Sequence, residues 1–540
     1  MTQWNYAEVW EAIAAIQPEQ PAIEHGEQTT TWSAFDEHAR GIADWLLSLG
    51  VAHQDKVALY LYNSAEYLES VFGALRIGLV PVNTNYRYGD EELLYLWDNA
   101  DAVAVVFHGT FTERIEGIRE RATKVKGWLW VDDGSGPCPS WAADAASVIR
   151  SAPTSLHHEW HRTPDDLIML YTGGTTGMPK GVMWRQDDLF ARLNPAGFRR
   201  FDSSLGTEGV ITEISDKGPG LALLPACPLM HGTGLFTAIE CLSEGGRVVL
   251  LESRTYRPEE LAATIDDKAV NVAVIVGDPF ARPLLGVLTE DPDRFTLSSL
   301  VAMMSSGAMW SEEIKAGLLT HHDKMLLIDA FSSSEALGMG SSISAAGSES
   351  HTGEFSLGPE VRVLSDDGTD VVPGSGDIGV LALGGRNPLG YYKDETKSAA
   401  TFRVIDGERY SIPGDFAMVH SDGTIQLLGR GSQCINTAGE KVFPEEVEEV
   451  LKRHEAIADA CVMGVPDERT GERVIAAVEL RPGAETPTVD EMIAHVKATL
   501  SSYKAPRQIR VVETIGRSPS GKMDYGRHKT EAIAWLEAGS

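Results

Sequence analysis

The densest group of potential ligand-binding side chains lies between Tyr171 and Trp184. The segment reads YTGGTTGMPKGVMW, with four glycines, three threonines and one lysine in fourteen residues. Glycines can take positive φ and let the backbone approach an oxyanion closely, while hydroxyls and an ammonium group neutralise that oxyanion. The segment therefore predicts a phosphate-binding loop whose candidate residues are Thr172, Gly173, Gly174, Thr175, Thr176, Gly177 and Lys180.

Two other interpretations of this segment fit less well. A Gly/Thr-rich hairpin is the first alternative, but a hairpin turn needs only two or three special residues. The Walker phosphate loop requires Gly-Lys-Ser/Thr at the start of a helix, whereas here Pro179 precedes Lys180 and Gly181 follows it. A P-loop kinase or GTPase is therefore disfavoured.

Three later segments also contain residues with useful chemistry. Residues 329–338 read DAFSSSEALG, where Ser followed by Glu would by itself indicate a helix cap. Asp415 and Arg430 each follow a glycine, a pair of dipeptides that would otherwise indicate turns. Residues 517–524 read RSPSGKMD, and Lys522 there could simply be an exposed lysine on an acidic protein. None of the three is decisive alone.

Taken in order, the four segments resemble the adenylate-forming superfamily of acyl-CoA synthetases, luciferases and nonribosomal adenylation domains. The resemblance covers essentially the whole chain. It implies that the protein joins a carboxylate to ATP, releasing pyrophosphate, and then passes the acyl group to a thiol. The implied partners are ATP, Mg²⁺, coenzyme A and a small carboxylic acid.

The resemblance also implies roles for individual residues in nucleotide binding. The Gly/Thr loop and Lys180 would hold the β- and γ-phosphates, and Glu335 would coordinate Mg²⁺, which prefers oxygen ligands. Phe331 would stack on adenine and Ser334 would lie near the α-phosphate. Ser332 and Ser334 depart from the glycine and threonine that are usual at these positions. The same segment adds the candidate nucleotide-binding residues Asp329, Ala330 and Ser332.

The remaining nucleotide contacts are implied for residues nearer the C-terminus. Asp415 would accept hydrogen bonds from the ribose hydroxyls, and Arg430 would contact the ribose or a phosphate. Lys522 would bridge the attacking carboxylate and the α-phosphate, because a positioned ammonium stabilises the charge that moves between them.

A domain rotation is implied between the two half-reactions, because Lys522 must leave before a thiol can enter. Family members place the hinge two residues after the Gly-Arg arginine, which is Ser432 here. Residues 436–444 resemble the loop that enters the site in the second pose. Ala438 and Gly439 would line a tunnel for the pantetheine arm, although a plain turn before a helix is the alternative.

The acyl side of the site is less clearly marked. Residues 227–234 read CPLMHGTG, and by resemblance His231 would lie near the carboxylate, in a catalytic or a structural role. Small residues elsewhere would leave volume for a bulky acyl group. Candidate walls are Gly277, Asp278, Pro279, Ser305, Ser306, Gly307 and Ala308, of which Gly307 and Ala308 are also candidate cofactor contacts.

The wording of the motifs is closest to actinobacterial synthetases that activate sterol side-chain carboxylates. The quoted stretches are LYTGGTTGMPKGVMWRQDDLF, SSSEALG, GRGSQCINTAGEKVFPEEVE and RSPSGKMDY. A medium- or long-chain fatty acid is the competing substrate. An enzyme that loads a carrier protein and a non-catalytic nucleotide-binding relative remain as further alternatives, although all four of the central charged residues, Lys180, Glu335, Asp415 and Lys522, are present.

Composition narrows the class of protein. A chain of 540 residues is longer than one hydrophobic core usually serves, so two or more domains are expected. The net charge of −32 argues against nucleic acid or an anionic membrane as the main partner. Five scattered cysteines, no basic and apolar leader, and a most apolar stretch broken by prolines and glycines predict a cytoplasmic protein without a membrane span. A homodimer is possible.

The elements that must position these residues follow a mixed α/β pattern. Residues 40–110 alternate helical and strand-like segments, which predicts a mostly parallel sheet. Residues 365–440 change to short strands with turn signals, which predicts a small β-barrel-like subdomain. We expect a large N-terminal domain over residues 1–430 and a small, mobile α+β domain over residues 431–540.

Overall fold

The structure is a computed structural model of the chain. It describes residues 4–173, 178–348, 351–437, 440–467, 469–518 and 521–538. Six predicted ligand-binding residues lie outside these ranges, namely Gly174, Thr175, Thr176, Gly177, Ala438 and Gly439. Over the described ranges, no helix has both the length and the apolar character that crossing a membrane requires.

The α-helices of the described residues are distributed over the whole chain. In chain order they are α1 (Tyr6–Ile16), α2 (Trp32–Ser48), α3 (Ala65–Arg76), α4 (Asp90–Asn99), α5 (Thr112–Ile118), α6 (Ala145–Arg150), α7 (Gln186–Leu193), α8 (Thr207–Lys217), α9 (Gly232–Ser243), α10 (Pro258–Asp267), α11 (Asp278–Glu290), α12 (Glu312–His321), α13 (Glu395–Thr401), α14 (Pro444–Lys452), α15 (Val489–Thr499) and α16 (Tyr525–Ala538).

The β-strands are short and belong to three sheets. In chain order they are β1 (Pro21–His25), β2 (Gln28–Thr31), β3 (Lys56–Tyr60), β4 (Val80–Asn83), β5 (Ala102–His108), β6 (Gly127–Val131), β7 (Ala143–Asp144), β8 (Leu167–Thr172), β9 (Lys180–Arg185), β10 (Ala222–Pro225), β11 (Arg247–Leu250), β12 (Val272–Ile275), β13 (Ala302–Ser305), β14 (Leu326–Ser333), β15 (Ala336–Ser344), β16 (Glu354–Leu357), β17 (Val361–Leu364), β18 (Ile378–Leu383), β19 (Gly390–Tyr391), β20 (Phe402–Ile405), β21 (Glu408–Ser411), β22 (Asp415–Val419), β23 (Ile425–Arg430), β24 (Ile435–Thr437), β25 (Glu440–Val442), β26 (Ile457–Asp467), β27 (Gly471–Leu480) and β28 (Gln508–Val512).

The first sheet carries the base of the predicted phosphate-binding loop. Its strand order is β19-β9-β8-β4-β3-β5-β6-β7, and β4, β3, β5, β6 and β7 pair in parallel. Parallel neighbours need crossover connections, which the amphipathic helices α3 and α4 supply. The alternation predicted for residues 40–110 is confirmed by these elements.

The second sheet changes character along its length. The run β11-β10-β12-β13-β14 is parallel, whereas β14 and every later neighbour pair antiparallel through β15, β16, β23, β22, β18, β21 and β20. The antiparallel part has a hydrophobic cluster of its own that includes Met339, Phe355 and Leu381. The predicted mixed α/β class with a large N-terminal sheet domain is therefore confirmed, while the strands predicted as a small β-barrel-like subdomain continue the same sheet.

The C-terminal unit is the predicted α+β element. Strands β24 to β28 form a third sheet, with α14 and α15 packed over a separate hydrophobic cluster. Pro444 occupies the first turn of α14, where its missing N–H costs nothing. Arg430 ends β23 and a 3₁₀ turn over Gly431–Gln433 follows, next to the predicted domain boundary. The boundary itself stays a prediction.

Candidate functional site

Glu335 lies at the tip of a β-hairpin. Strands β14 and β15 pair antiparallel with Ser333 opposite Ala336, so Ser334 and Glu335 form the turn between them. The alternative of a helix cap at this segment is therefore wrong. The Glu335 carboxylate accepts a hydrogen bond of 2.8 Å from the Tyr391 hydroxyl, and its backbone carbonyl accepts one of 2.7 Å from Ser411.

Tyr391 connects this turn to the predicted phosphate-binding loop. The Lys180 ammonium lies 5.4 Å from the centre of the Tyr391 ring. Lys180 also pairs with Thr172 across β8 and β9, so the loop joins two antiparallel strands. The loop thus has the topology of a hairpin connection, with seven residues between its strands. Tyr391 therefore contacts both Lys180, at the base of the loop, and Glu335.

Asp415 and Arg430 are cross-strand neighbours. They lie opposite each other on β22 and β23, and the Arg430 Nε donates to Asp415 Oδ1 at 3.3 Å. Burial raises the pKa of Asp415 above its ordinary value, and Arg430 opposes that shift. The second carboxylate oxygen, Oδ2, is buried and accepts no hydrogen bond from the described residues. An unused buried acceptor is the kind of group that a ribose hydroxyl could satisfy.

Lys522 enters this group from the C-terminal unit. Its side chain keeps exposed surface, yet desolvation by the surrounding protein and then the charge of Arg430 lower the pKa of its ammonium, against the opposing effect of Glu335. Lys522 therefore lies where the charges of both Arg430 and Glu335 reach its ammonium. A Cβ on the preceding Gly521 would lie 3.1 Å from a methyl group of Val276, so the loop is seated on the N-terminal domain.

The loop that carries Lys522 is held within its own domain. Arg517 makes two hydrogen bonds to Asp459, of 2.6 and 2.9 Å, and a third of 3.2 Å to the Gly521 carbonyl. Bidentate guanidinium-carboxylate pairs fix orientation as well as distance. The Ser518 backbone N–H also donates to the Lys522 carbonyl at 3.0 Å. These contacts aim Lys522 without any hydrogen bond from the opposite side of the cleft among the described residues.

His231 lies at the start of α9, in the N-cap position. Burial, and then the charge of Lys522, lower the pKa of its imidazole to about 3. The ring is therefore neutral at physiological pH, and it lies within range of the charge on Lys522. A neutral imidazole can shape the acyl entrance and exchange hydrogen bonds, but it cannot act there as a standing positive charge.

The other candidate residues are placed with mixed partners. Phe331 packs at 5.6 Å from the Phe355 ring and remains half-buried. Ser332 accepts a hydrogen bond of 2.9 Å from the Gly338 N–H, so its hydroxyl serves the hairpin. Asp329 is paired with the buried Lys315 at 3.1 Å. Ala330 lies beside them on β14, and Gly307 and Ala308 follow β13 on the neighbouring strand.

The candidate acyl-pocket walls divide into two groups. Asp278 accepts hydrogen bonds of 2.8 and 3.0 Å from Ser311 and lies 3.2 Å from Arg282. Its carboxylate is thus committed to α11 and α12. By contrast, Gly307 is exposed with φ +97°, and a Cβ there would meet Val276 and Thr233 only at 3.7 and 3.8 Å. The open space lies beside Gly307.

Several residues of this site were not predicted from the sequence. Tyr391 and Ser411 contact Glu335, and Trp184 donates to the Ser334 carbonyl at 3.0 Å. Tyr391 is separated from Glu335 by 56 positions, and no spacing rule connects them. The only sequence signal was the aromatic pair that follows Gly390.

Two family profiles match the chain. The AMP-binding enzyme profile matches residues 10–392, and the profile of the AMP-binding enzyme C-terminal domain matches residues 446–522. The chain belongs to the AMP-binding enzyme family. The resemblance found in the four motifs is thereby confirmed, and the second profile ends at Lys522.

Curated relatives of this AMP-binding enzyme include two steroid-acid ligases. It is 38% identical over 527 residues to a 3-oxocholest-4-en-26-oate–CoA ligase of Rhodococcus rhodochrous, with 96% of this chain and 94% of the relative covered. It is 39% identical over 541 residues to a medium/long-chain-fatty-acid–CoA/3-oxocholest-4-en-26-oate–CoA ligase of Mycobacterium tuberculosis, with 98% and 96% covered.

Solved structures of AMP-binding enzymes share the fold. The anthranilate CoA ligase AuaEII in complex with anthranoyl-AMP matches with a TM-score of 0.82 at 22% identity, covering 100% of this chain and 99% of the other. ATP-bound MatB from Rhodopseudomonas palustris matches with a TM-score of 0.79 at 22% identity, covering 98% and 99%. These likenesses establish the architecture of both units of this AMP-binding enzyme.

Proposed function

We propose that this AMP-binding enzyme is an AMP-forming carboxylic acid:CoA ligase for a bulky hydrophobic acid, a steroid side-chain carboxylate. One observation carries the proposal: Lys522 of the C-terminal unit lies within charge range of Glu335 and of Arg430, which is itself the partner of Asp415. That arrangement suits a bound nucleotide whose α-phosphate exchanges its pyrophosphate group for a carboxylate oxygen. The relatives are CoA ligases by name, which supports coenzyme A as the thiol acceptor.

In the first half-reaction, the carboxylate of the acid attacks the α-phosphorus and pyrophosphate leaves. Asp415 and Arg430 would position the ribose, while Phe331 offers a half-buried ring to adenine. Lys522 would stabilise the negative charge as it moves onto the new P–O bond, because a positioned ammonium in a desolvated cleft interacts strongly. Thr172 and Lys180 at the base of the loop would approach the outer phosphates.

Glu335 is the residue that would hold Mg²⁺. Its Oε1 is occupied by Tyr391, whereas no described residue donates to its other oxygen. No group of three or more His, Cys, Asp and Glu residues in the described part of the chain could hold a metal by itself. That arrangement fits Mg²⁺, which usually takes one or two protein carboxylates together with substrate phosphates. When bound, the ion would neutralise phosphate charge.

The second half-reaction requires Lys522 to withdraw so that the thiol of coenzyme A can attack the acyl carbon and release AMP. We propose that the unit after residue 430 rotates about the turn Gly431–Gln433, with Ser432 as the pivot. Ala438 and Gly439 would then line the pantetheine path. The reaction would take place in the cytoplasm, where ATP and coenzyme A are supplied, and a homodimer is compatible with it.

The proposed acid is chosen from the relatives and from the space near Gly307. Both relatives described above carry 3-oxocholest-4-en-26-oate in their names, and one of them also carries medium- and long-chain fatty acids. Fatty acids are therefore the second candidate substrate.

The test is pyrophosphate release with ATP and Mg²⁺ across steroid, fatty and aromatic acids, run with and without coenzyme A. We expect a coenzyme A-dependent signal that is largest for steroid acids. A maximum with fatty acids would retain the ligase and reject the steroid assignment. Absence of turnover with every acid would reject the ligase and favour carrier loading or a non-catalytic role.

A further inference from the structure

The segment that carries His231 is held from the first sheet, although it follows β10 of the second. The Asn63 side chain, just beyond β3 of the first sheet, donates to the Cys227 carbonyl at 3.0 Å and accepts from the Leu229 N–H at 2.7 Å. Cys227 and Leu229 are both buried. His231 therefore enters the N-cap of α9 from a segment that the first sheet also fixes.

Asn83 contacts the same segment and a second one as well. It is the last residue of β4 and is only 5% exposed. Its side-chain N–H groups donate to the Met230 carbonyl at 2.6 Å and to the Tyr171 carbonyl at 2.9 Å. Its side-chain oxygen accepts from the Tyr171 N–H at 2.5 Å. Both donors of the amide and one of its acceptor positions are thus used.

The second partner, Tyr171, immediately precedes the predicted phosphate-binding loop. Strands β4 and β8 pair in parallel with Val82 opposite Met169, so Asn83 lies one residue beyond that backbone pair. A side-chain amide offers the same donor and acceptor as a peptide group. Asn83 therefore continues the pairing of the two strands, through its side chain, up to the residue at which the loop begins.

The geometry points to Asn83 as a positioning residue that couples the nucleotide side of the site to the acyl side. One planar amide contacts the residue before the phosphate-binding loop and the residue before His231, so a shift of either segment strains or breaks a hydrogen bond. Burial makes such a loss costly, because the freed groups cannot turn to water. A ligand that orders one segment should therefore favour the ordered form of the other. The assignment rests on the proposed ligase function.

Two other asparagines contact only one of the two segments and provide matched controls. Asn63 contacts the acyl-side segment. Asn99, at the end of α4, accepts a hydrogen bond of 2.6 Å from the Tyr171 hydroxyl on the nucleotide side. Within the described ranges, neither side chain makes a hydrogen bond to the other segment. Loss of coupling should consequently be confined to variants of Asn83.

The test measures how an acid changes the affinity for a nucleotide. The probe is α,β-methylene-ATP with Mg²⁺, whose α–β linkage is not cleaved, and its binding to the full-length protein is measured by calorimetry. Titrations are made without acid and with a saturating steroid side-chain acid, or with dodecanoic acid if the acid panel selects fatty acids. Titration of the acid into the nucleotide complex verifies that it binds. The coupling factor is the ratio of the two dissociation constants of the nucleotide.

We expect the acid to tighten nucleotide binding to the wild-type protein by about tenfold, within the usual range for two coupled sites. Asn83→Ala should bring the factor close to one. Asn83→Asp should do the same, because it keeps the acceptor for Tyr171 but loses both donors. Asn63→Ala should weaken the acid, and Asn99→Ala the nucleotide, by about fivefold each while the factor is retained.

The outcomes separate the coupling from the ligase function. A merely structural role for Asn83 would weaken both ligands at an unchanged factor, and that result would overturn the proposal. A wild-type factor near one with both ligands bound would overturn the coupling and leave the ligase intact. If no acid binds or turns over, both the ligase and the coupling are rejected.

Hydrogen exchange on the wild-type protein tests the same coupling if the Asn83 variants fail to fold. The nucleotide probe alone should slow amide exchange in residues 226–231 severalfold, as well as in residues 167–172, because the two segments share Asn83. Helix α15 of the C-terminal unit is the internal reference. Protection confined to residues 167–172 would overturn the coupling.

Discussion

The two domains contribute to the candidate site in different ways. In the N-terminal domain, Glu335, Tyr391, Asp415 and Arg430 are fixed on strands or strand turns and joined in pairs by hydrogen bonds. In the C-terminal domain, Lys522 is aimed by contacts within its own domain and reaches the others only through charge. The N-terminal part of the site is thus fixed by hydrogen bonds, whereas the C-terminal part interacts with it through the charge of Lys522.

This difference has a physical consequence. A side chain held by short hydrogen bonds in the opposite domain would cost free energy to withdraw, whereas a charge held at a distance leaves with little loss. Among the described residues, the contacts between the domains include the ion pair of 3.5 Å between Arg481 and Glu313 and the packing of the Phe443 ring 5.7 Å from the Phe416 ring. The rotation proposed for the C-terminal unit would therefore break charge contacts at Lys522, but no hydrogen bond to it from the other domain among the described residues.

Removing the positive charge of Lys522 should have the largest effect. Lys522→Ala should slow pyrophosphate release by about 10²- to 10³-fold, the usual cost of one preorganised stabilising group. It should spare thioester formation from supplied acyl adenylate. Separate assays of pyrophosphate release and of thioester formation measure the two rates. Lys497→Ala, which changes an exposed lysine, is the control. Equal losses of rate in adenylation and in thioester formation would contradict a role for Lys522 in adenylation alone.

Removing the negative charge of Glu335, in the N-terminal domain, should have a smaller effect on activity. Glu335→Gln should raise the Mg²⁺ concentration needed for half-maximal activity roughly tenfold to hundredfold, because a charged contact contributes about 1.5–3 kcal/mol. Magnesium titrations of pyrophosphate release provide the measurement. Glu408→Gln is the matched control, since Glu408 accepts a hydrogen bond of 2.9 Å from Tyr410 in the same subdomain. An unchanged magnesium requirement would remove Glu335 from the metal site.

Removing the hydrogen bond between Tyr391 and Glu335 should have a smaller effect still. Tyr391→Phe removes the donor to Glu335 and should reduce adenylation about fivefold, as expected for one lost hydrogen bond. Tyr410→Phe removes the equivalent hydroxyl from the control pair and should leave the rate unchanged. If both variants behave alike, Tyr391 contributes only to packing.

The smallest effect concerns the pH dependence of docking. Glu445 packs against Gly429 across the domain interface, and burial followed by Glu448 raises its pKa from 4.5 to about 8. The docked conformation therefore binds more protons than an undocked one between these two pKa values, so docking weakens as the pH rises from about 4.5 and levels off above about 8. Asp415 on the facing strand raises the same pKa.

Fluorescence energy transfer between dyes on the two domains should show the docked fraction falling by about twofold between about pH 5 and pH 8, with little further change at higher pH. Glu445→Gln should remove this dependence. Glu446→Gln, whose carboxylate pairs with Lys504 inside the C-terminal domain, should retain it. A pH profile that Glu445→Gln leaves unchanged would assign the titration to another group.

The motifs were predictable because each needs a particular residue type over a short stretch. Local sequence alone displays these motifs, which are the Gly/Thr-rich loop, the glycine before Asp415 and the glycine before Lys522. The hairpin at Ser334 and Glu335 was harder, because Ser followed by Glu suits a helix cap equally well. Pairing of β14 with β15 decided between the two.

The sequence by itself determined the family, the mixed α/β class and the charged residues that belong to one chemistry, because these depend on local spacing and periodicity. Only the tertiary structure decided which side chains share a partner. Tyr391 meets Glu335, and Gly521 rests on Val276. Such meetings depend on how sheets and domains pack, and no spacing along the chain encodes a contact between residues so far apart.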